Sequence, residues 1–94
     1  MYVISYDIEK DKVRNKIAKT LENYGQRVQY SVFECRITLK QYDKLYSELA
    51  RLMTAEEEGN IRIYTVCANC EAKLATIGIK NQSMDQEEED LFII

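Results

Sequence analysis

Hydrophobic side chains recur along this chain with two different periods, and the order of these periods restricts the fold more than any other feature. Alternation with a period of two, which predicts strands, covers residues 1–8 (MYVISYDI), 27–37 (RVQYSVFECRI) and 61–67 (IRIYTVC). Apolar spacing of three and four residues, typical of amphipathic helices, covers 13–21 and 42–53. The sequence therefore predicts strand, helix, strand, helix and strand, in that order.

Shorter signals mark where these elements begin and end. Asp11 is the predicted N-cap of the first helix, and Gly25, which could adopt the left-handed conformation, is its predicted end. Residues 38–41, TLKQ, match a capping box at the start of the second helix. Residues 75–79 predict a short fourth strand, and residues 91–94, LFII, predict a fifth.

This order predicts an α+β domain of the ferredoxin-like βαββαβ type, in which the long segment 27–37 bends into a hairpin. Both helices would then pack on one face of an antiparallel sheet. We expect the domain to span residues 1–84. Residues 85–94 are expected to form an acidic linker and a C-terminal strand that pairs with a partner subunit.

The predicted strands carry apolar side chains in both alternating sets, whereas two helices can cover only one set. In the middle strand one set is Val28, Tyr30 and Val32, and the other is Phe33, Cys35 and Ile37. An uncovered apolar face of this size exceeds what monomers usually expose. We therefore expect a two-fold homodimer, joined sheet to sheet.

The charge distribution indicates a mildly basic body with an acidic tail. The chain has 16 acidic and 13 basic residues, a net charge of −3, and residues 85–90 (DQEEED) contain five of the acids and no base. Residues 1–84 therefore hold 13 basic residues against 11 acidic ones. This balance excludes a strongly basic nucleic-acid module.

Composition excludes several further classes of protein. The absence of histidine rules out histidine bases, His-ligated zinc and Ser–His triads. No apolar run approaches the length of a membrane span, so no membrane contact is expected. Three cysteines cannot form a closed disulfide framework, which favours a reducing cytoplasm.

Cys67 and Cys70 form a C-x-x-C pair with three interpretations. Zinc needs four ligands, and Cys35 is the one other cysteine in the sequence. A redox pair normally lies at the start of a helix, whereas this pair lies at the end of a predicted strand. Burial as small apolar side chains is the expectation for all three cysteines.

Asp7 places a carboxylate at the far end of an otherwise apolar strand. A turn or capping residue is one interpretation, and a ligand for a hard cation is the other. One carboxylate makes a poor cation site. Two copies brought together by a dimer axis, with water and phosphate oxygens completing the shell, would suit magnesium.

Three features of the sequence resemble one family closely. YDI at 6–8, the arginine seven positions past Asp7, and YGQRVQYSVFEC at 24–35 resemble the CRISPR-associated endoribonuclease family, the smaller of the two CRISPR adaptation proteins. YDI alone is not specific, whereas YG-x-RVQ-x-SVFE placed directly after the first helix is highly specific. The likeness spans about residues 1–79.

The resemblance implies a catalytic site with Asp7 as its metal ligand. Tyr6 and Phe33 match other positions implicated in nuclease activity. Magnesium is the implied cofactor, with manganese as the alternative.

The resemblance also implies contacts with nucleic acid and with other proteins. Arg14 and Arg27 match basic positions near the site, and Lys16 keeps the charge of a further position without the bidentate fork of an arginine. The implied partners are a second copy of the chain, the larger CRISPR integrase subunit, and RNA or double-stranded DNA.

Two functions of different class remain open on the sequence. A metal-dependent endonuclease would use two Asp7 carboxylates and a neighbouring arginine. The resemblance also implies a role as the central dimer of the spacer-integration complex, with or without nuclease activity. A purely non-catalytic adaptor would need only a basic DNA track and docking surfaces. A ferredoxin-like domain that senses small molecules is a third interpretation, without a pocket motif to support it.

Overall fold

The structure, a computed structural model, describes residues 1–54 and 58–78. In chain order the elements are β1 (Tyr2–Asp7), α1 (Asp11–Glu22), β2 (Gln26–Gln29), β3 (Val32–Cys35), α2 (Leu39–Met53), β4 (Asn60–Thr65) and α3 (Ala68–Glu71). The predicted acidic linker and the predicted strand at 91–94 lie outside the described residues.

The four strands form one antiparallel sheet in the order β2-β3-β1-β4. β1 is central, and its Ile4 lies opposite Phe33 of β3 and Ile63 of β4. α1 and α2 contact each other and share a core with one face of the sheet. The predicted α+β ferredoxin-like arrangement is thereby confirmed.

The core lies between that sheet face and the two helices. Alternate residues of a strand point to the same face, and residues three or four apart share one side of a helix. The buried hydrophobic residues are Ile4, Tyr6, Ile8, Phe33 and Cys35 from the sheet side, and Ile17, Ala18, Leu21, Leu45 and Leu49 from the helices. The helix periodicities that the sequence displays are therefore the core-facing stripes.

The segment 27–37 does bend into a hairpin, between β2 and β3. A register shift between Arg27 and Gln29 forms a bulge, and the backbone N–H of Tyr6 donates to the carbonyl of Ser31 at 3.1 Å. This hydrogen bond holds the turn against the end of β1. The hairpin interpretation of the long segment is confirmed.

The start of α2 also follows the prediction, whereas the start of α1 differs by one residue. Thr38 caps α2: its hydroxyl accepts from the backbone N–H of Gln41, whose side chain accepts from the N–H of Thr38. The N-cap of α1 is Lys10, which makes no side-chain capping hydrogen bond, and Asp11 is the first residue of the helix. An acid in the first turn suits the helix dipole, which explains its position equally well.

Gly25 does not end α1 in the left-handed conformation. Among the described residues, positive φ occurs at Gly59 and Gly78, and the C-cap of α1 is Asn23 in the right-handed region. Gly25 is required for another reason, because a Cβ there would lie 2.3 Å from the carbonyl oxygen of Glu34. It allows the chain entering β2 to pass close to β3.

The predicted strand at 75–79 is not formed at 75–78, the part of it that the structure describes. The chain turns after β4 into the short helix α3 and then continues without regular structure. The side chain of Ile77 is 90% exposed. Since a strand needs a hydrogen-bonded neighbour, and this segment has none among the described residues, its apolar alternation alone does not form one.

The sheet face away from the helices is mixed in character. Val3 lies opposite Glu34 and Tyr64, and Ser5 lies opposite Val32 and Arg62. Apolar side chains are thus present on this second face, as the sequence predicts, but charged and hydroxyl side chains separate them. The homodimer drawn from that face stays a prediction.

Candidate functional site

Asp7 is the last residue of β1, and its side chain is exposed while the following Ile8 is buried. Asp7 lies opposite Asn60 in the register with β4. The preceding Gly59 has φ of 97°, and a Cβ there would lie 2.7 Å from the carbonyl oxygen of Asp7. Glycine at 59 thus lets the chain entering β4 pack against the backbone that carries the carboxylate.

Arg14 fastens the first turn of α1 to the chain that follows Asp7. Its Nη1 donates to the carbonyl oxygens of Ile8 at 3.0 Å and Glu9 at 3.2 Å, and its Nη2 pairs with the carboxylate of Asp11. The hydrogen bond that Arg14 donates to the Asp11 carboxylate raises the pKa of Arg14 above its ordinary value. The guanidinium is therefore engaged within its own chain, where it orders the β1–α1 connection.

Tyr6, Arg27 and Phe33 form one contact network at the same end of the sheet. The Tyr6 hydroxyl donates to the carbonyl oxygen of Tyr30 at 3.4 Å and accepts from Nη2 of Arg27 at 3.3 Å. The Arg27 guanidinium lies 5.2 Å from the centroid of the Phe33 ring, in cation–π range. Two buried rings thus hold the exposed arginine in place.

The structure does not bring all the predicted site residues together. Successive side chains of a strand point to opposite faces, so the buried Tyr6 and the exposed Asp7 lie on opposite sides of β1. Phe33 is fully buried on the Tyr6 side. Within one chain, the Asp7 carboxylate is thus separated by the sheet from the Tyr6–Arg27–Phe33 network.

Asp7 is one oxygen ligand, and a hard cation requires several. Across the described residues, no group of three or more acidic, cysteine or histidine side chains is placed to hold a metal ion. The residues of a single described chain therefore fit a metal ion only as part of a site shared with another molecule.

A row of lysines on α1 is a candidate phosphate-binding surface that sequence reasoning identifies only in part. Lys12, Lys16 and Lys19 are all exposed. Their spacing of four and three residues places them along one side of the helix. Lys16 is the predicted contact, and the same spacing could have identified its two neighbours.

The cysteine prediction is wrong for two of the three residues. Cys35 is buried, whereas Cys67 and Cys70 are exposed. β4 ends at Thr65, and Cys67 caps α3, accepting a hydrogen bond from the backbone N–H of Cys70 at 3.3 Å. The pair lies in a surface turn, because the strand stops two residues before the first cysteine.

The fold and the site define a small ferredoxin-like α+β domain with a carboxylate at the end of its first strand and a basic first helix. The family described as CRISPR associated protein Cas2 matches residues 1–74. CRISPR-associated endoribonuclease Cas2 1 of Chloroflexus aurantiacus is 46% identical over 93 residues, covering 99% of this chain and 98% of that protein. The chain belongs to the CRISPR-associated Cas2 family.

Further relatives agree over nearly the whole domain. CRISPR-associated endonuclease Cas2 of Halalkalibacterium halodurans is 39% identical over 97 residues, covering 98% of this chain and 99% of that protein. A crystal structure of Streptococcus pyogenes Cas2 superimposes with a TM-score of 0.70 at 30% identity, covering 82% of this chain and 98% of that one.

A chain of a partial Cas6-RT-Cas1–Cas2 complex superimposes with a TM-score of 0.70 at 33% identity, covering 80% of this chain and 87% of that one. The family resemblance drawn from YG-x-RVQ-x-SVFE is confirmed, and with it the assignment to CRISPR adaptation. No helix in the described part of the chain is long and apolar enough to cross a bilayer.

Proposed function

We propose that the protein acts in CRISPR adaptation as a homodimer that holds double-stranded DNA beside the larger integrase subunit, Cas1. The observation that carries the DNA-binding part is the exposed lysine row of α1, Lys12, Lys16 and Lys19. The Cas1 partner is supported by the relative that forms part of a Cas1–Cas2 complex.

The lysine row suits the DNA backbone better than base edges. With a rise of about 1.5 Å per residue, the row extends roughly 10 Å along the helix, enough to reach neighbouring phosphates. Ammonium groups on flexible side chains act as point charges, so they neutralise phosphate without reading sequence. Binding should accordingly be independent of sequence and sensitive to salt.

The two arginines of the predicted interface would have different roles. Arg14 is engaged with the Ile8 and Glu9 carbonyls and with Asp11, so its main contribution is to order the loop after Asp7. Arg27 is exposed above the Phe33 ring and is oriented by the Tyr6 hydroxyl. We therefore assign the phosphate contact to Arg27, with Tyr6 and Phe33 as its positioning residues.

Charge reversal at two matched pairs of lysines tests the DNA surface. Lys12 and Lys16 are the second and sixth residues of α1, and Lys40 and Lys44 occupy the same two positions of α2; all four side chains are exposed. The double variants Lys12→Glu/Lys16→Glu and Lys40→Glu/Lys44→Glu therefore change net charge and helix electrostatics alike. Any difference between them reports the location of the DNA.

We expect the α1 pair to weaken duplex binding about tenfold or more on every sequence, and the α2 pair to change it much less. The slope of log affinity against log salt should fall by about 0.9 for each phosphate that the variant no longer neutralises. Fluorescence anisotropy with two unrelated duplexes over a salt series measures both quantities. Equal weakening by the two pairs, or binding that follows one base sequence, would contradict the proposed surface.

Phosphodiester cleavage is a second candidate function, favoured by the exposed Asp7 carboxylate at the strand end. The relatives that are named endoribonuclease and endonuclease support it. Asp7 residues from two chains would together hold one divalent ion, magnesium or manganese, and when bound that ion would polarise the phosphate. Cleavage of RNA or double-stranded DNA that requires divalent metal and is lost in Asp7→Asn would establish this activity.

A further inference from the structure

Cys67 and Cys70 are not among the residues to which the proposed function assigns a role. Both thiols are exposed in the turn that links β4 to the chain beyond α3. Cys67 has extended backbone geometry, and its sulfur accepts a hydrogen bond from the N–H of Cys70 at 3.3 Å. The turn thus folds the first cysteine back over the second.

The spacing of this pair is compatible with a disulfide bond. Residues three apart in one helical turn have Cβ atoms about 5–6 Å apart, whereas a disulfide needs about 3.5–4.5 Å. Cys67 is the capping residue with extended backbone geometry, so its backbone is not held at helical angles, and a rotation there would bring the two Cβ atoms closer together. Neither sulfur is enclosed by the core, and no large rearrangement is needed.

We propose that Cys67 and Cys70 form a thiol–disulfide exchange site that reacts with low-molecular-weight disulfides of the glutathione type. The Cys67 thiolate attacks one sulfur of the disulfide, forms a mixed disulfide and releases one thiolate. The Cys70 thiolate then attacks the Cys67 sulfur, forms the Cys67–Cys70 bond and releases the second thiolate. The two protons lost by the protein thiols appear on the two released thiols, and the protein is oxidised by two electrons.

The hydrogen bonds of the pair decide the order of attack. The backbone N–H and the thiol of Cys70 lower the pKa of Cys67, and the same contact raises the pKa of Cys70. Cys67 therefore carries more thiolate near neutral pH and reacts first. Burial raises the pKa of Cys35, which leaves this third thiol unreactive.

A disulfide suits this pair better than a bound metal ion. A structural zinc site needs four ligands, and no third cysteine, histidine or carboxylate completes a cluster within the part of the chain that the structure describes. Glu71, the next residue, pairs with Arg36 just beyond β3. Oxidation would therefore stiffen a turn that is already joined to the sheet at one side.

Oxidation of the full chain in graded mixtures of reduced and oxidised glutathione tests the proposal. The products are trapped by alkylation, weighed as intact protein and mapped by peptide digestion. Parent protein and the control Cys35→Ala should each lose two hydrogen atoms and yield a Cys67–Cys70 cross-linked peptide. Cys70→Ser should stop at a glutathione adduct on Cys67, and Cys67→Ser should form its adduct on Cys70 several-fold more slowly.

Alkylation rates measured against pH give an independent readout. Because its pKa is lowered, Cys67 should stay reactive to lower pH than Cys70 does. The proposal is overturned if the parent stays reduced in mixtures that oxidise a reference dithiol, accumulates separate adducts on both cysteines, or cross-links between chains. Bound zinc that protects both thiols from oxidation would also overturn it.

Discussion

Replacing Phe33 by alanine should remove a large part of the stability of the domain. The ring is fully buried, lies beside Ile4 of the neighbouring strand β1 and supports the guanidinium of Arg27. Loss of a buried Phe side chain costs about 3–5 kcal/mol. A chain of 94 residues is expected to have a free energy of unfolding of roughly 5–14 kcal/mol in total. The melting temperature should therefore fall by at least about 12 °C.

Phe33→Leu separates the packing role of this residue from its role beneath Arg27. Leucine keeps most of the apolar volume, so the expected loss is below about 1.5 kcal/mol. It removes the aromatic face, however, and should weaken DNA binding through Arg27 while the protein stays folded.

Urea unfolding followed by circular dichroism measures the free energy of unfolding of both variants. The protein concentration is kept fixed, because the stability of a dimer depends on it. A free energy of unfolding for Phe33→Ala within about 1 kcal/mol of the parental value would show that the ring is not packed as described.

Substitutions at three further residues test individual features of the structure. Gly25→Ala should destabilise the domain by about 1–3 kcal/mol, because the added Cβ meets the backbone of Glu34 at 2.3 Å; urea unfolding measures the loss, and parental stability would contradict the contact. Thr38→Ala should cost about 1 kcal/mol through removal of the cap, whereas Thr38→Ser should restore it; equal melting of the three proteins would argue against the capping box. Arg14→Lys should speed amide hydrogen exchange at residues 8–11, because an ammonium group cannot reach both carbonyls and Asp11 at once. Unchanged exchange there would show that the guanidinium contacts do not order this connection.

Four elements could be predicted from the periodicity of the sequence, because each of them has an apolar face that packs against the core. β1, α1, α2 and β4 each present one apolar stripe to the core, and the capping box at Thr38 is a local signal. The hairpin within 27–37 could be predicted only as a bend, since the turn at Tyr30 and Ser31 contains neither glycine nor proline. Its position is held by a hydrogen bond to β1, which no local pattern displays.

The features that sequence patterns assign wrongly depend on contacts between distant parts of the chain. Gly25 has the sequence signature of a helix end, whereas its requirement comes from Glu34 nine residues further on, which lies on a neighbouring strand. The apolar segment 75–78 resembles a strand, but the described chain offers it no strand to pair with. Local sequence cannot display either the close approach or the missing neighbour.

In the candidate site, too, some features can be predicted from local sequence and others depend on contacts that the sequence does not display. The family motif identifies Asp7, Tyr6 and Phe33 as a group, yet strand alternation separates the carboxylate from the two rings. The attachment of Arg14 to backbone carbonyls has no sequence signature, because carbonyls are present at every residue. The lysine row of α1, in contrast, can be identified from spacing alone.

We infer that the Asp7 site is completed only by two chains, because no group of three or more metal-binding side chains lies together within the described part of one chain. A calorimetric titration tests this inference directly: magnesium, and then manganese, is titrated into the parent protein at tens of micromolar. Light scattering in the same buffer gives the mass of the protein. We predict a dimer mass and about one ion bound for every two chains. Asp7→Asn should keep the dimer mass and lose the ion, because the amide preserves the shape but not the charge. A monomer mass, one ion for each chain, or unchanged binding in Asp7→Asn would contradict the claim.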